Sequence, residues 1–277
     1  GQSTWVPAFF PINALSAKSN LGYASAAAVM MLAITFVVFI PLVALTVWEL
    51  LVRVTGVPSF ILPGPLRVGR AAVDHAELIG EHALVTLSEV LAGLLLGTVL
   101  GISTSLYLMV SGSARRLLLP LMLFSQTVPI FALAPLLTLW LGYGVGSKIV
   151  MTLLIIYFPV ASTFYDGLRN TPRGFLDLAT TMNASSSRTL FRIRVPAALP
   201  SLASGLTLAA VYAPIGAVIG EWVGASRGLG YLMLLANGRV KIDLMFAALF
   251  ALVAMTIALH TLVNRVGRRL TRWSVGT

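Results

Sequence analysis

Long stretches without a charge alternate with short polar ones along this chain. Six such runs stand out, at residues 21–48, 90–114, 117–147, 149–165, 195–220 and 244–264. At a rise of about 1.5 Å per residue, each run crosses, or nearly crosses, roughly 30 Å of hydrocarbon as a helix. The runs do not alternate apolar and polar residues, as the strands of a membrane barrel must. Lipid offers no other way to satisfy the backbone than a helix. The pattern therefore predicts an all-α polytopic membrane helix bundle with about six transmembrane helices.

Breaks between the runs refine this picture. Gly56-Val-Pro58 and Leu62-Pro-Gly-Pro65 end the first helix. Residues 66–84 predict a short amphipathic helix with Arg67, Arg70, Asp74, Glu77 and Glu81 on its wet side. Pro120, Pro129 and Pro135 predict either a kinked helix or a short helix followed by a spanning one. Gly142-Tyr-Gly-Val-Gly146 is a tight turn before the fourth helix. The polar stretch 166–194 separates the fourth and fifth helices, and 222–243 joins the fifth to the sixth.

Composition narrows the class further. The 277 residues are 58% hydrophobic and only 10% charged, against about 25% charged in a soluble domain. That excludes an ordinary cytosolic enzyme and a disordered chain. Cysteine is absent, which excludes disulfides and thiolate metal sites. The net charge is +10, but the bases are dispersed between apolar runs and form no stripe for nucleic acid. With six spans and the N-terminus inside, twelve of the nineteen Lys and Arg residues fall on the inner side. Lys148 is among the seven on the outer side. The bias favours cytoplasmic N- and C-termini and puts the 166–194 loop in the cytoplasm.

That loop carries the most specific pattern. It reads Asp177-Leu-Ala-Thr-Thr-Met-Asn183-Ala-Ser185 and continues Phe191-Arg-Ile-Arg-Val-Pro196-Ala-Ala-Leu-Pro200. Asp177 favours the N-terminal end of a short helix over 175–182. Asn183 is suited to ending it in the left-handed region. Ser185 to Ser187 are suited to capping a second short helix that carries Arg188, Leu190 and Phe191, and Pro196 to the first turn of the next long helix. The result is a compact two-helix knob that fits a groove in another protein, or else a solvated connection between two spans.

The motif resembles the EAA loop of binding-protein-dependent ABC importer permeases, Glu-Ala-Ala-x-x-x-Gly followed by two prolines. Asp177, Ala179 and Asn183 fall on its Glu, Ala and Gly positions, and Pro196 and Pro200 on the expected offsets. Asp for Glu, Leu178 for Ala and Asn183 for Gly are departures. The resemblance extends to Leu62-Pro-Gly-Pro65, His82, Thr86-Leu87, Pro129-Ile-Phe-Ala-Leu-Ala-Pro135 and Leu141 to Lys148, which look like the nitrate/sulfonate/taurine branch. Gly220-Glu-Trp-Val-Gly224, with Gly228-Leu-Gly230-Tyr and Asp243, is similar to members assigned to pyrimidine precursors of thiamine.

The resemblance implies a type I importer permease fold, with residues 1–24 as a cytoplasmic tail, 25–272 as the transmembrane domain and 166–194 as the coupling loop. It implies ATPase docking through Asp177, Ala179, Asn183, Ala184, Ser185 and Arg188. The expected partners are ABC ATPase subunits, an extracytoplasmic substrate-binding protein and a second permease subunit, most simply a homodimer in the bacterial inner membrane. ATP and Mg belong to the ATPase, so this chain needs no cofactor, metal or catalytic residue. The expected solute is an aminopyrimidine, with sulfonate, taurine or nitrate as the competing anions.

Gln126, Trp140, Tyr157, Glu221 and Trp222 are candidates for a pathway lining, each with an alternative as a packing or interface residue. Glu89 and Glu221 read equally as carboxylates at the water boundary, and His260 as an interhelical polar contact. Gly93, Gly97 and Gly101 share one face of a helix, as do Gly216, Gly220 and Gly224, which suits close packing or sliding. Residues 142–148 lack the spacing of a phosphate loop. A secondary transporter would show midplane charges and an internal repeat, and an intramembrane serine protease a Gly-x-Ser-Gly turn. This chain has almost no midplane charge, no evident internal repeat and no such turn.

Overall fold

The computed structural model describes residues 21–35 and 39–272, and these form helices with no strand among them. The expected N-terminal tail falls almost wholly outside the described residues. The chain divides into two compact units, 1–70 and 71–277.

In the first unit the expected first span is shared between α1 (Leu21–Ile34) and α2 (Ile40–Thr55). α2 ends where Gly56 adopts φ 61°, a conformation glycine takes without a Cβ penalty. Glu49 and Arg53 pair one turn apart on it at 2.7 Å.

A short helix α3 (Pro65–Asp74) follows, and α4 (Ala76–Val110) begins after His75 leaves helical geometry at ψ 24°. The expected amphipathic helix over 66–84 is therefore two elements. Its second half is the first turns of a 35-residue helix. α5 (Gly112–Ser125) and α6 (Ile130–Leu141) meet at a bend of 102°. Pro129 offers no N–H and is extended at ψ 124°, so the helix stops and restarts there. This is the broken form of the two anticipated.

α7 (Val145–Arg169) is followed by α8 (Arg173–Thr181) and α9 (Ser186–Thr189). α9 runs through a π turn, Leu190–Arg194, into α10 (Val195–Gly224). The fifth helix thus starts earlier than expected and is continuous over 39 residues. Pro196 breaks no bond that matters, because the wider π turn already displaces the ladder: Val195 N–H donates to the carbonyl of Leu190. α11 (Leu229–Gly238) and α12 (Ile242–Leu270) complete the chain. Among the described residues, four helices are long and apolar enough to span a bilayer, and five if α5 and α6 count as one broken span. These account for the second to sixth expected runs; the first includes residues 36–38, which lie outside the described residues.

α7 is the centre of the second unit. Gly97 and Gly101 of α4 lie so close that a Cβ on them would stand 2.6 Å from Ile156 Cγ1 and 2.9 Å from Val160 Cγ1. From α10, Gly216 and Gly220 approach Thr152 and Lys148 in the same way. Two glycine faces therefore grip one helix, and both serve close packing. Between them Val90, Ile156, Val160, Ala209, Ala213 and Ala217 are fully buried.

Candidate functional site

Two polar assemblies lie at opposite ends of this bundle. The first joins the end of α7 to the start of α10. α8 closes with Asn183 at φ 51°. Ala184 N–H donates to the Ala179 carbonyl and Asn183 N–H to that of Thr180, both at 2.9 Å. That is the Schellman pairing, which satisfies two carbonyls the helix end would otherwise leave open. Ser185 then caps α9 by accepting the Arg188 N–H at 3.4 Å.

The corner is fastened to the bundle by Arg194, whose guanidinium donates to the Leu168 carbonyl at 3.0 Å. Beneath it Leu168, Leu190 and Ala198 pack with Phe164. The outer face is different. Phe175, Leu178 and Met182 repeat at helical spacing and are 56%, 56% and 72% exposed, and Phe191 is exposed as well. Asp177, Asn183, Ser185 and Arg188 are exposed on the same element, Ala184 is half-buried, and Ala179 is buried at the helix base. The expected docking residues are thus brought together, with Ala179 supporting the element from inside.

The second assembly joins the starts of α4, α7 and α11 to the end of α10. Glu221 is buried, and its carboxylate accepts from the Thr86 hydroxyl at 2.6 Å and from the backbone N–H groups of Gly230 and, at 3.4 Å, Tyr231. It caps the N-terminus of α11, where the helix dipole favours a negative charge. Thr86 in turn accepts the Leu229 N–H at 2.8 Å, and His82 Nδ1 the Gly228 N–H at 2.9 Å. Glu89, with no exposed surface, stands beside Glu221 and pairs with Lys148 at 3.3 Å. The two acids are therefore interior groups and not carboxylates at the water boundary. Lys148, counted in sequence as an outer-loop base, is interior too, because its stem packs against Gly220. A buried pair keeps its charges only when each finds a partner.

The candidate pathway residues do not form one set. Gln126 and Tyr157 line a cavity of about 870 Å³ with Ser125, Phe158 and Tyr212. Trp222 lines another, of about 750 Å³, where its ring stands 6.3 Å from that of Phe131. Glu221 belongs to the buried assembly. Trp140 is 71% exposed on α6 and lines neither cavity. Neither cavity is lined by a charged side chain. Sequence reasoning missed Lys148, Thr86 and His82 as one group, since residues up to 146 positions apart meet there.

Long apolar helices gripping one central span, with an exposed two-helix knob at one end, define a polytopic membrane permease. The chain belongs to the family of binding-protein-dependent transport system inner membrane components, whose model matches residues 93–274. It is 51% identical over 233 residues to a probable ABC transporter permease protein of Haemophilus influenzae, covering 84% of this chain and 95% of that one. It is 36% identical to the formylaminopyrimidine transport permease protein ThiX of Halalkalibacterium halodurans, over 84% of this chain and 93% of the relative. More distant relatives, 33% to 26% identical, are named for riboflavin, aliphatic sulfonate and taurine transport. The fold matches the inward-facing MetNI methionine ABC transporter with a TM-score of 0.62 at 20% identity, over 72% of this chain and 98% of that one. The chain is an ABC importer permease subunit, and ATP hydrolysis lies in a separate subunit.

Proposed function

We propose that the α8–α9 knob is the element through which an ABC ATPase drives this permease. The observation that carries the reading is the row Phe175, Leu178 and Met182, exposed on a short helix whose own end is closed by the Schellman pairing. A helix presenting three large apolar side chains to solvent suits a groove in a partner. Arg194 on Leu168 and the apolar base transmit a push on the knob to α7 and α10 together. The knob end is then cytoplasmic, with both termini on that side, and a substrate-binding protein delivers solute at the Glu221 end. A second copy of the chain completes the pathway.

The solute we favour is a neutral planar heteroaromatic of the aminopyrimidine class. The support is the uncharged cavity with tyrosine and phenylalanine faces and the Gln126 amide, together with the likeness to ThiX. An anion such as nitrate or an aliphatic sulfonate would be served better by fixed positive charge, which that lining lacks.

The test of coupling is Ala184→Glu in the reconstituted complex with its own ATPase and binding protein. A charge placed at the half-buried corner without a partner commonly costs a few kcal/mol. Uptake and substrate-stimulated ATPase activity should fall while the permease still inserts and folds. Unchanged activity would remove the knob from the coupling route. For the solute, uptake of taurine or nitrate with no response to an aminopyrimidine would overturn the substrate class alone.

A further inference from the structure

At the knob end of the bundle, α10 and α12 enclose a polar pocket of about 560 Å³ that the transport reading does not use. His260, Asn264 and Arg268 line it from α12 at one-turn intervals, and Ser204 and Thr207 face them from α10. The hydroxyls of Ser204 and Thr207 donate to the carbonyls of Pro200 and Ala203 within their own helix. Among the described residues, the His260 ring, the Asn264 amide and the Arg268 guanidinium have no hydrogen-bond or ionic partner. The expectation of an interhelical contact for His260 is therefore not met, and its ring borders the pocket instead.

On the two lining helices the charged side chains near the pocket have one sign. Arg265, Arg268, Arg269 and Arg272 crowd the end of α12. The acids of the two lining helices, Glu221 and Asp243, lie at their far ends. Ten helical residues between Val211 and Glu221 amount to about 15 Å. Four guanidinium groups outweigh the half negative charge that a helix C-terminus carries.

The pocket also has an apolar extension. Val211 borders both it and the cavity of about 750 Å³ that continues along the same two helices past Ile215, Leu249, Val253 and Ile257. Val253 and Ile257 are exposed there. A polar, cationic pocket at the end of a span, continuous with an apolar groove along the span, has the shape and charge of an amphiphile.

We propose that this groove is a binding site for an anionic phospholipid. The phosphate sits among Arg268, Asn264 and His260, and one acyl chain lies along Val211 and Ile257. Basic pockets between spanning helices suit such headgroups, with each Lys or Arg near the surface contributing about 1 kcal/mol, or roughly five-fold in affinity. The acyl chain contributes by covering apolar surface that otherwise meets only bulk lipid.

The test uses the permease in its full complex, purified in detergent. Titration with phosphatidylglycerol and with phosphatidylcholine is followed by native mass spectrometry, which counts retained lipids. The complex should keep phosphatidylglycerol in preference to phosphatidylcholine. Arg268→Gln should weaken retention about five-fold, and Arg265→Gln, which changes a base outside the pocket, should not. Ile257→Trp should displace the chain while leaving the headgroup residues intact. Equal loss in Arg268→Gln and Arg265→Gln, or none in either, would overturn the site as a non-specific basic surface. Competition by inorganic phosphate as effective as by phosphatidylglycerol would also overturn it, since the acyl chain would contribute nothing. So would efficient disulfide formation between two copies carrying Ile257→Cys, which would make this face an interface between permease subunits.

Discussion

Lys148 offers the sharpest test of the interior assembly. Its ammonium is the cation paired with Glu89, and Glu221 stands next to that carboxylate. The side chains of Lys148 and Glu89 are 7% and 0% exposed. Lys148→Met keeps most of the stem that packs on Gly220 and removes only the charge. Two carboxyl groups then share an interior site with no cation. Breaking a buried pair from one side costs about 3–5 kcal/mol. Against a total stability of roughly 5–15 kcal/mol that is a large share. At about 2–4 °C per kcal/mol for a chain of this size, the midpoint of thermal unfolding should fall by about 6–20 °C. The companion variant Lys148→Met with Glu89→Gln removes both charges and should recover most of the loss, because an apolar or neutral replacement of a buried pair is often nearly neutral. The assay is thermal unfolding of the detergent-solubilised permease for the wild type, both single variants and the double variant. A double variant as unstable as the sum of the singles would refute the reasoning, since the two charges would then not be coupled.

Three further outcomes follow from the same geometry. Gly228→Ala should destabilise by more than about 1 kcal/mol, because φ is +113° and the new Cβ would stand in the Glu221 carboxylate; a thermal midpoint equal to wild type would count against the cap. Asn183→Val should lose about 1–2 kcal/mol from a β-branched residue in the left-handed region, whereas Asn183→Gly should be tolerated; ATPase coupling in the reconstituted complex reads the difference. In cells, a cysteine at exposed Ser226 should react with an impermeant thiol reagent, and one at exposed Ser187 only after the membrane is opened; the reverse pattern would invert the orientation.

How much of this was legible in the sequence depends on how local the cause was. The Asn183 turn and the Ser185 cap each arise within a few residues, and the sequence pattern anticipates them. The glycine faces were visible as periodicity, but their common partner on α7 was not, since nothing local ties Gly97 to Ile156. Glu221 reads as a boundary carboxylate because it sits near the end of an apolar run. Only the fold shows that Thr86, from 135 residues away, and the α11 N-terminus enclose it. The bend before α6 had a local sign in Pro129, but its size depends on packing. The π turn had a sign in Pro196 that pointed to a helix start, while the backbone chose to run through.

That π turn sets the angular phase between two rigid pieces. α9 and α10 run on as one helix, and the extra residue in Leu190–Arg194 is taken up within a single wide turn. Deleting one residue there would let the backbone close to an ordinary α turn with the pieces on either side still in phase, whereas deleting one from the α turns beside it would swing the knob by about 100° about the helix axis. In the second case the row of Phe175, Leu178 and Met182 would aim along a different compass bearing while the bundle stayed put. The collar therefore absorbs a change of one residue in length that the α turns beside it would convert into a rotation.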